Sequence, residues 1–109
     1  MNIITNDPAK VQVAVAALQY VFDPEIGLNV IDLGLIYQID FDVAQKKIFC
    51  YMTLTTEYCP MGDVITTGVF NALQDSFDGY SAEVSLTFDP PWNQDMISPE
   101  GKDFLKKYK

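Results

Sequence analysis

The sequence predicts an α+β domain of two layers, a small three-stranded mixed or antiparallel sheet with helices on one face. Three observations carry this. Apolar residues recur at helical spacing over 11–22 and 66–77, and they alternate with period two over 35–43, 48–55 and 82–88. Proline and glycine punctuate the gaps between these runs. The resulting order, helix-strand-strand-helix-strand-helix, suits helices packed on one side of a sheet. A chain of 109 residues has room for a single domain, spanning 1–109. At that size a monomer buries roughly two-thirds of its unfolded surface, enough for a core without disulfides.

Asp7-Pro8 reads as an N-cap with proline in the first helical position. Val11, Ala14, Val15, Leu18, Val21 and Phe22 then form one helical face, which Asp23-Pro24 ends because the residue before proline avoids the helical region. A turn-rich loop runs to about Asp32. Leu35, Tyr37, Ile39, Phe41 and Val43 alternate with Ile36, Gln38, Asp40 and Asp42 as a half-buried strand. The short connection Ala44 to Lys47 makes the next strand its antiparallel partner, with Ile48, Cys50, Met52 and Leu54 inward and Phe49, Tyr51, Thr53 and Thr55 on the other face.

Thr56 to Gly62 reads as a loop. A second helix follows from about Gly62 to Phe77, striped by Thr66, Val69, Phe70, Leu73 and Phe77, and Asp78-Gly79 closes it with a residue suited to a left-handed cap. Ala82, Val84, Leu86 and Phe88 mark the third strand, and Asp89-Pro90-Pro91-Trp92 cannot extend it. Ser98-Pro99-Glu100 opens a last short helix whose lysines sit where its dipole favours cations. With helices on one side, Phe49 and Tyr51 fall on a thinly covered face, so a homodimer or partner surface is open there, and so is extension of the sheet edge.

The charge pattern excludes whole classes of function. The net charge is −8, all seven positive residues are lysines, and four of them stand in the last eight positions. A phosphate backbone needs several Lys or Arg contacts, and arginine most often reads guanine, so no nucleic-acid partner is expected. Without histidine there is no Ser-His-Asp or Cys-His pair, no His-based zinc site and no imidazole proton shuttle. The first residues, MNIITNDPAK, lack a basic region followed by an apolar run, and the most apolar later stretch is broken by glycines and Asp32. Neither a signal peptide nor a membrane association is expected, which points to the cytoplasm and to reduced thiols.

Cys59, in the loop Thr55 to Pro60 just before the second helix, is the main chemical candidate. A thiol at a helix N-terminus meets unpaired N–H groups and the positive dipole end, which favour the thiolate that a metal takes as ligand. The plainer reading is a small loop residue. Cys50 sits on the apolar face of its strand and reads as core. Asp23, Glu25 and Asp32 bracket an apolar loop: Asp23 suits a cap or turn, Glu25 a solvated position. Asp32, between Ile31 and Leu33, needs specific hydrogen-bond donors. Thr53, Thr55 and Thr56 are strand residues or a polar lining near Cys59. Trp92 is either a lid over the core or an anchor for a partner.

Three stretches together resemble one family. They are Asp23-Pro24-Glu25-Ile26 with Ile31-Asp32-Leu33-Gly34-Leu35-Ile36; the Thr-x-Thr-x-x-x-Cys-Pro segment Thr53 to Pro60; and Phe88-Asp89-Pro90-Pro91-Trp92 leading to Met96-Ile97-Ser98-Pro99-Glu100-Gly101-Lys102. In this order and spacing, from Val11 to Leu105, the chain resembles the SufT/PaaD-like family of iron–sulfur cluster assembly domains. One departure is visible: Glu57-Tyr58 stands where the family often has a proline or glycine turn, making the loop more acidic and bulkier. The cysteine-rich extension of the phenylacetate-pathway relatives and the fused nucleotide-binding domain of other members are not in this sequence. A stand-alone SufT-like factor is the nearest resemblance.

The resemblance implies a non-enzymatic accessory factor in iron–sulfur protein maturation, with the loop cysteine at Cys59 and the loop acid at Asp32. Its partners would be the iron–sulfur assembly machinery and apo client proteins. A cluster normally takes four protein ligands, mostly thiolates. One chain has one loop thiol, so no tightly bound cofactor is expected; any cluster would be labile and shared between chains. Two further readings stay open, a structural interaction module and a thiol enzyme with Cys59 as nucleophile, the latter without a histidine base.

Overall fold

The computed structural model describes residues 3–56 and 62–107. Its elements are β1 (Ile4–Thr5), α1 (Pro8–Leu18), β2 (Ile36–Asp42), β3 (Lys47–Met52), α2 (Gly62–Ser76), β4 (Ser81–Leu86), a 3-10 turn (Gln94–Met96) and α3 (Pro99–Lys107). The α+β class and helix order stand. The sheet, however, has four strands among the described residues, ordered β1-β2-β3-β4, where the sequence predicts three. The additional strand, β1, runs parallel to β2 with Ile4 opposite Gln38 and Thr5 opposite Ile39. Two residues carry no periodicity, so it was invisible to pattern. Asn6 pins it: its side-chain amide donates to the Phe41 carbonyl and accepts from the Phe41 N–H, both at 2.9 Å, standing in for a strand residue.

In α1 the cap forms as expected, the Asp7 carboxylate accepting from the Lys10 N–H at 3.1 Å, with Pro8 opening the helix. The helix ends at Leu18 rather than near Phe22. Tyr20 and Val21 bond back three residues, to Ala17 and Leu18, and the chain then turns away. Val21 accepts from Val30 and Phe22 bridges Asn29, so a local ladder with the following loop competes successfully with further helix.

The β2–β3 hairpin is antiparallel, with Ile39 opposite Cys50 and Phe41 opposite Ile48. Its register shifts between Ile36 and Gln38, which face Met52 and Tyr51, and Tyr37 is the extra residue of a β-bulge. The alternation predicted from sequence therefore inverts at this point. Ile36 is buried, Tyr37 is half-buried and pointed elsewhere, and Val43 lies exposed beyond the strand end. β4 then pairs parallel to β3. Ala82 on β4 is buried, but Leu86 is 47% exposed.

The core lies between the sheet and two helices. Ile39, Phe41, Ile48, Cys50 and Met52 meet Ala14, Val15 and Leu18 of α1 and Ile65, Val69 and Leu73 of α2. The buried stripe of α2 is thus Ile65-Val69-Leu73, spaced by four, and Phe70 of the predicted stripe is 40% exposed. Gly79 takes φ +81 after the helix, as its left-handed role requires. The opposite sheet face carries Ile4, Gln38, Tyr51 and Ser85 in one row, with Tyr51 38% exposed. Beyond a cis Asp89–Pro90 bond, the last segment crosses to the 23–35 loop, where Gly101 lies against the Asp32 carbonyl and Phe104 beside Gly27.

Candidate functional site around Asp32

The loop before β2 is wound into turns by its own backbone. Leu33 N–H reaches the Asn29 carbonyl at 3.0 Å, Gly34 that of Ile31 at 3.0 Å, and Leu35 that of Val30 at 3.0 Å. Leu28, Val30, Ile31, Leu33 and Leu35 are all buried, which anchors the loop to the core and leaves Asp32 half-buried between them. The donors that such a carboxylate needs are present. Asn29 Nδ2 donates to one oxygen at 2.8 Å, and Ser98 Oγ donates to the other at 2.8 Å. Asn29 Oδ1 in turn accepts the Asp32 N–H at 2.8 Å. Both donors are neutral, so the charge of Asp32 is oriented without being cancelled.

Ser98 also caps α3. Its hydroxyl accepts from the Gly101 N–H at 3.0 Å while donating to Asp32, and its own N–H donates to the Asp32 carbonyl at 2.8 Å. The cap was legible from Ser98-Pro99-Glu100; the bond to an acid so distant in sequence was not. Two more bonds draw residues 90–98 across the loop like a strap. The Trp92 indole N–H donates to the Leu33 carbonyl at 2.6 Å, and the Tyr37 hydroxyl donates to the Pro90 carbonyl at 2.8 Å. Trp92 is half-buried against the core, in keeping with a lid. The bulge explains Tyr37: pushed out of the strand alternation, it reaches the strap, and the accompanying desolvation raises its phenol pKa.

Between strap and loop lies a cavity of about 990 Å³. Ile31, Ile36, Pro90 and Met96 supply apolar walls, and Asp32, Asp95 and Glu100 supply acid; among the described residues no lysine lines it.

The remaining candidates divide. Asp23 is almost fully buried and spent on its own turn, one oxygen accepting from Glu25 N–H at 2.9 Å and Ile26 N–H at 3.3 Å. Glu25 is exposed. Among the described residues, neither is hydrogen-bonded to Asp32, which meets Asn29 and Ser98. Thr53 is fully buried, past the end of β3, with its N–H on the Leu35 carbonyl at 2.8 Å. Thr55 is half-buried and Thr56 exposed. Cys50 lies in the core, where burial pushes its thiol up to about 12, far from a thiolate at neutral pH. Cys59 lies outside the described residues, within 57–61. Among the described residues no group of three or more Cys, Asp or Glu is placed to hold a metal ion, and no helix is long and apolar enough to cross a membrane.

The family model described as iron–sulfur cluster assembly protein matches residues 11–86. An Fe-S protein maturation auxiliary factor of Porphyromonas gingivalis is 42% identical over 86 residues, 79% of this chain and 81% of that protein. The auxiliary factor SufT of Staphylococcus aureus is 37% identical over 82 residues, covering 75% of this chain and 92% of its own length. Among solved structures, a domain of unknown function, DUF59, from Bacillus anthracis superposes with a TM-score of 0.81 at 30% identity, over 88% of this chain and 90% of that one. The match spans the Asp32 loop, the hairpin, α2 and β4, and on it the chain belongs to the iron–sulfur cluster assembly protein family.

Proposed function

We propose that this protein is a non-enzymatic auxiliary factor in the maturation of iron–sulfur proteins, acting in the cytoplasm with the cluster as cargo. The observation that carries the reading is the likeness to maturation auxiliary factors over most of the chain, 42% identical in one case. In this reading Cys59 is a transient ligand. It supplies one of the four ligands that a cluster takes, so the cargo is bridged between two copies, or shared with the assembly machinery or an apo client. Weak ligation suits a carrier, which must release what it holds. Asp32, aimed by Asn29 and Ser98, is the partner-contacting residue, and Trp92 closes the strap over its loop; Asp23, Glu25, Thr53 and Thr55 hold or border the frame.

The test is the activity of an iron–sulfur dehydratase in cells lacking the protein, complemented with wild type or Cys59→Ala, with dehydratase protein level followed in parallel. The expected result is lower activity at unchanged protein level, restored by wild type and not by Cys59→Ala. Full restoration by Cys59→Ala would leave a docking role and remove the ligand. Unchanged activity under iron-replete and iron-poor growth would overturn the maturation role altogether.

A further inference from the structure

β4 is a sheet edge, and half of its main-chain groups face away from the sheet. Against β3, the Ser81 N–H donates to the Lys46 carbonyl at 2.9 Å and the Thr87 N–H to the Met52 carbonyl at 2.8 Å. Residues 81, 83, 85 and 87 therefore turn their main-chain groups towards β3, and Ala82, Val84 and Leu86 turn theirs outward. The Ala82 N–H is taken by the Gln74 side-chain carbonyl from α2. Val84 and Leu86 have no such acceptor among the described residues. Of the usual protections of an edge, Ser81–Leu86 carries one charge, Glu83, and no lysine, proline or bulge. Beside it stand half-buried Val84, Leu86 at 47% exposure and Phe70 at 40%.

We propose that β4 pairs antiparallel with β4 of a second copy, about a two-fold axis at Ser85. In this register Val84 of one copy lies opposite Leu86 of the other, on both sides of the axis. Each such pair exchanges both main-chain bonds using the groups that now face outward. The Gln74–Ala82 bond is left intact; a register centred on Val84 would set Ala82 opposite Leu86 and need the N–H that Gln74 already holds. Glu83 falls opposite Thr87, so the one charged residue of the strand meets no like charge. Val84, Leu86 and Phe70 meet their symmetry mates on the helix side of the joined sheet. The self-match of apolar with apolar and of acid with hydroxyl favours a second copy over an unrelated strand. Once joined, the only sheet edges left among the described residues are the two-residue β1 strands.

Net charge of −8 on each copy opposes this association, and salt screens that repulsion. Sedimentation equilibrium of the full chain at low and high salt tests the pairing. The expected result is a concentration-dependent dimer that tightens with salt. Leu86→Lys should weaken it by at least about tenfold by placing a charge in the apolar contact. Val84→Pro should abolish it by removing an outward donor. Tyr51→Lys, on the opposite face, should leave it unchanged, with circular dichroism confirming that each variant is folded. A monomer at every concentration would overturn the pairing. So would a dimer that survives Leu86→Lys, or one that is lost with Tyr51→Lys. The inference does not rest on the maturation reading: a monomer that restores the dehydratase would sink the pairing alone.

Discussion

Cys50 shows how burial decides chemistry at a single residue. Its thiol has no neighbour to favour the thiolate, and desolvation alone moves it from 9.0 to about 12. Because the folded-state value is raised, this thiol contributes stability that is fully present below about pH 9 and is lost as pH rises from there through about 12. The urea midpoint should fall over that window, and fall less in Cys50→Ala. Native protein should show no alkylation of Cys50 at neutral pH by peptide mass analysis, and denatured protein should show it readily. Ser98 carries the opposite lesson, since one hydroxyl serves two structures. Ser98→Ala removes the donor to Asp32 and the acceptor for Gly101, and should cost about 1–2 kcal/mol in urea unfolding. A loss within error would mean that water replaces both bonds.

At the scale of elements, turns and crossings set the tolerances. Gly34 and Gly79 both have positive φ, +75 and +81, yet they should respond differently to alanine. At Gly79 a Cβ meets nothing within 4 Å, so the cost is the left-handed backbone alone, about 1 kcal/mol. At Gly34 a Cβ would run into the Met96 carbonyl oxygen, with the carbonyl carbon 2.9 Å away, so the strap itself must shift. Gly34→Ala should therefore lose more than about 2 kcal/mol by thermal or urea unfolding. Equal losses at the two glycines would mean that the strap moves freely. α1 makes a related point, because its helical spacing continues to Phe22 while the chain leaves at Leu18. Spacing reports which residues are apolar, and here Val21 serves the loop ladder, its carbonyl accepting from Val30 at 2.9 Å.

Over the whole molecule, local signals placed most elements, although not where they end. Period-two alternation placed the β2–β3 hairpin, helical spacing placed α2 although its stripe was read through Thr66, Phe70 and Phe77 rather than Ile65, and Asp7-Pro8 marked the start of α1. The family resemblance was likewise carried by short motifs in order along the chain. What pattern missed depends on residues far apart. β1 exists because Asn6 bonds to Phe41, 35 positions away. The bulge at Tyr37 moves one aromatic residue out of the alternation and into a bond with Pro90. The α+β class, the order of the three helices and the three longer strands, and the need of Asp32 for donors were readable from residues alone, because each follows from side-chain chemistry or spacing within a few positions. That Ser98 meets Asp32 from 66 positions away, and that Trp92 closes on Leu33 from 59, emerged with the folded chain. Such partners are chosen by how the whole chain closes on its core, and no local period encodes that closure.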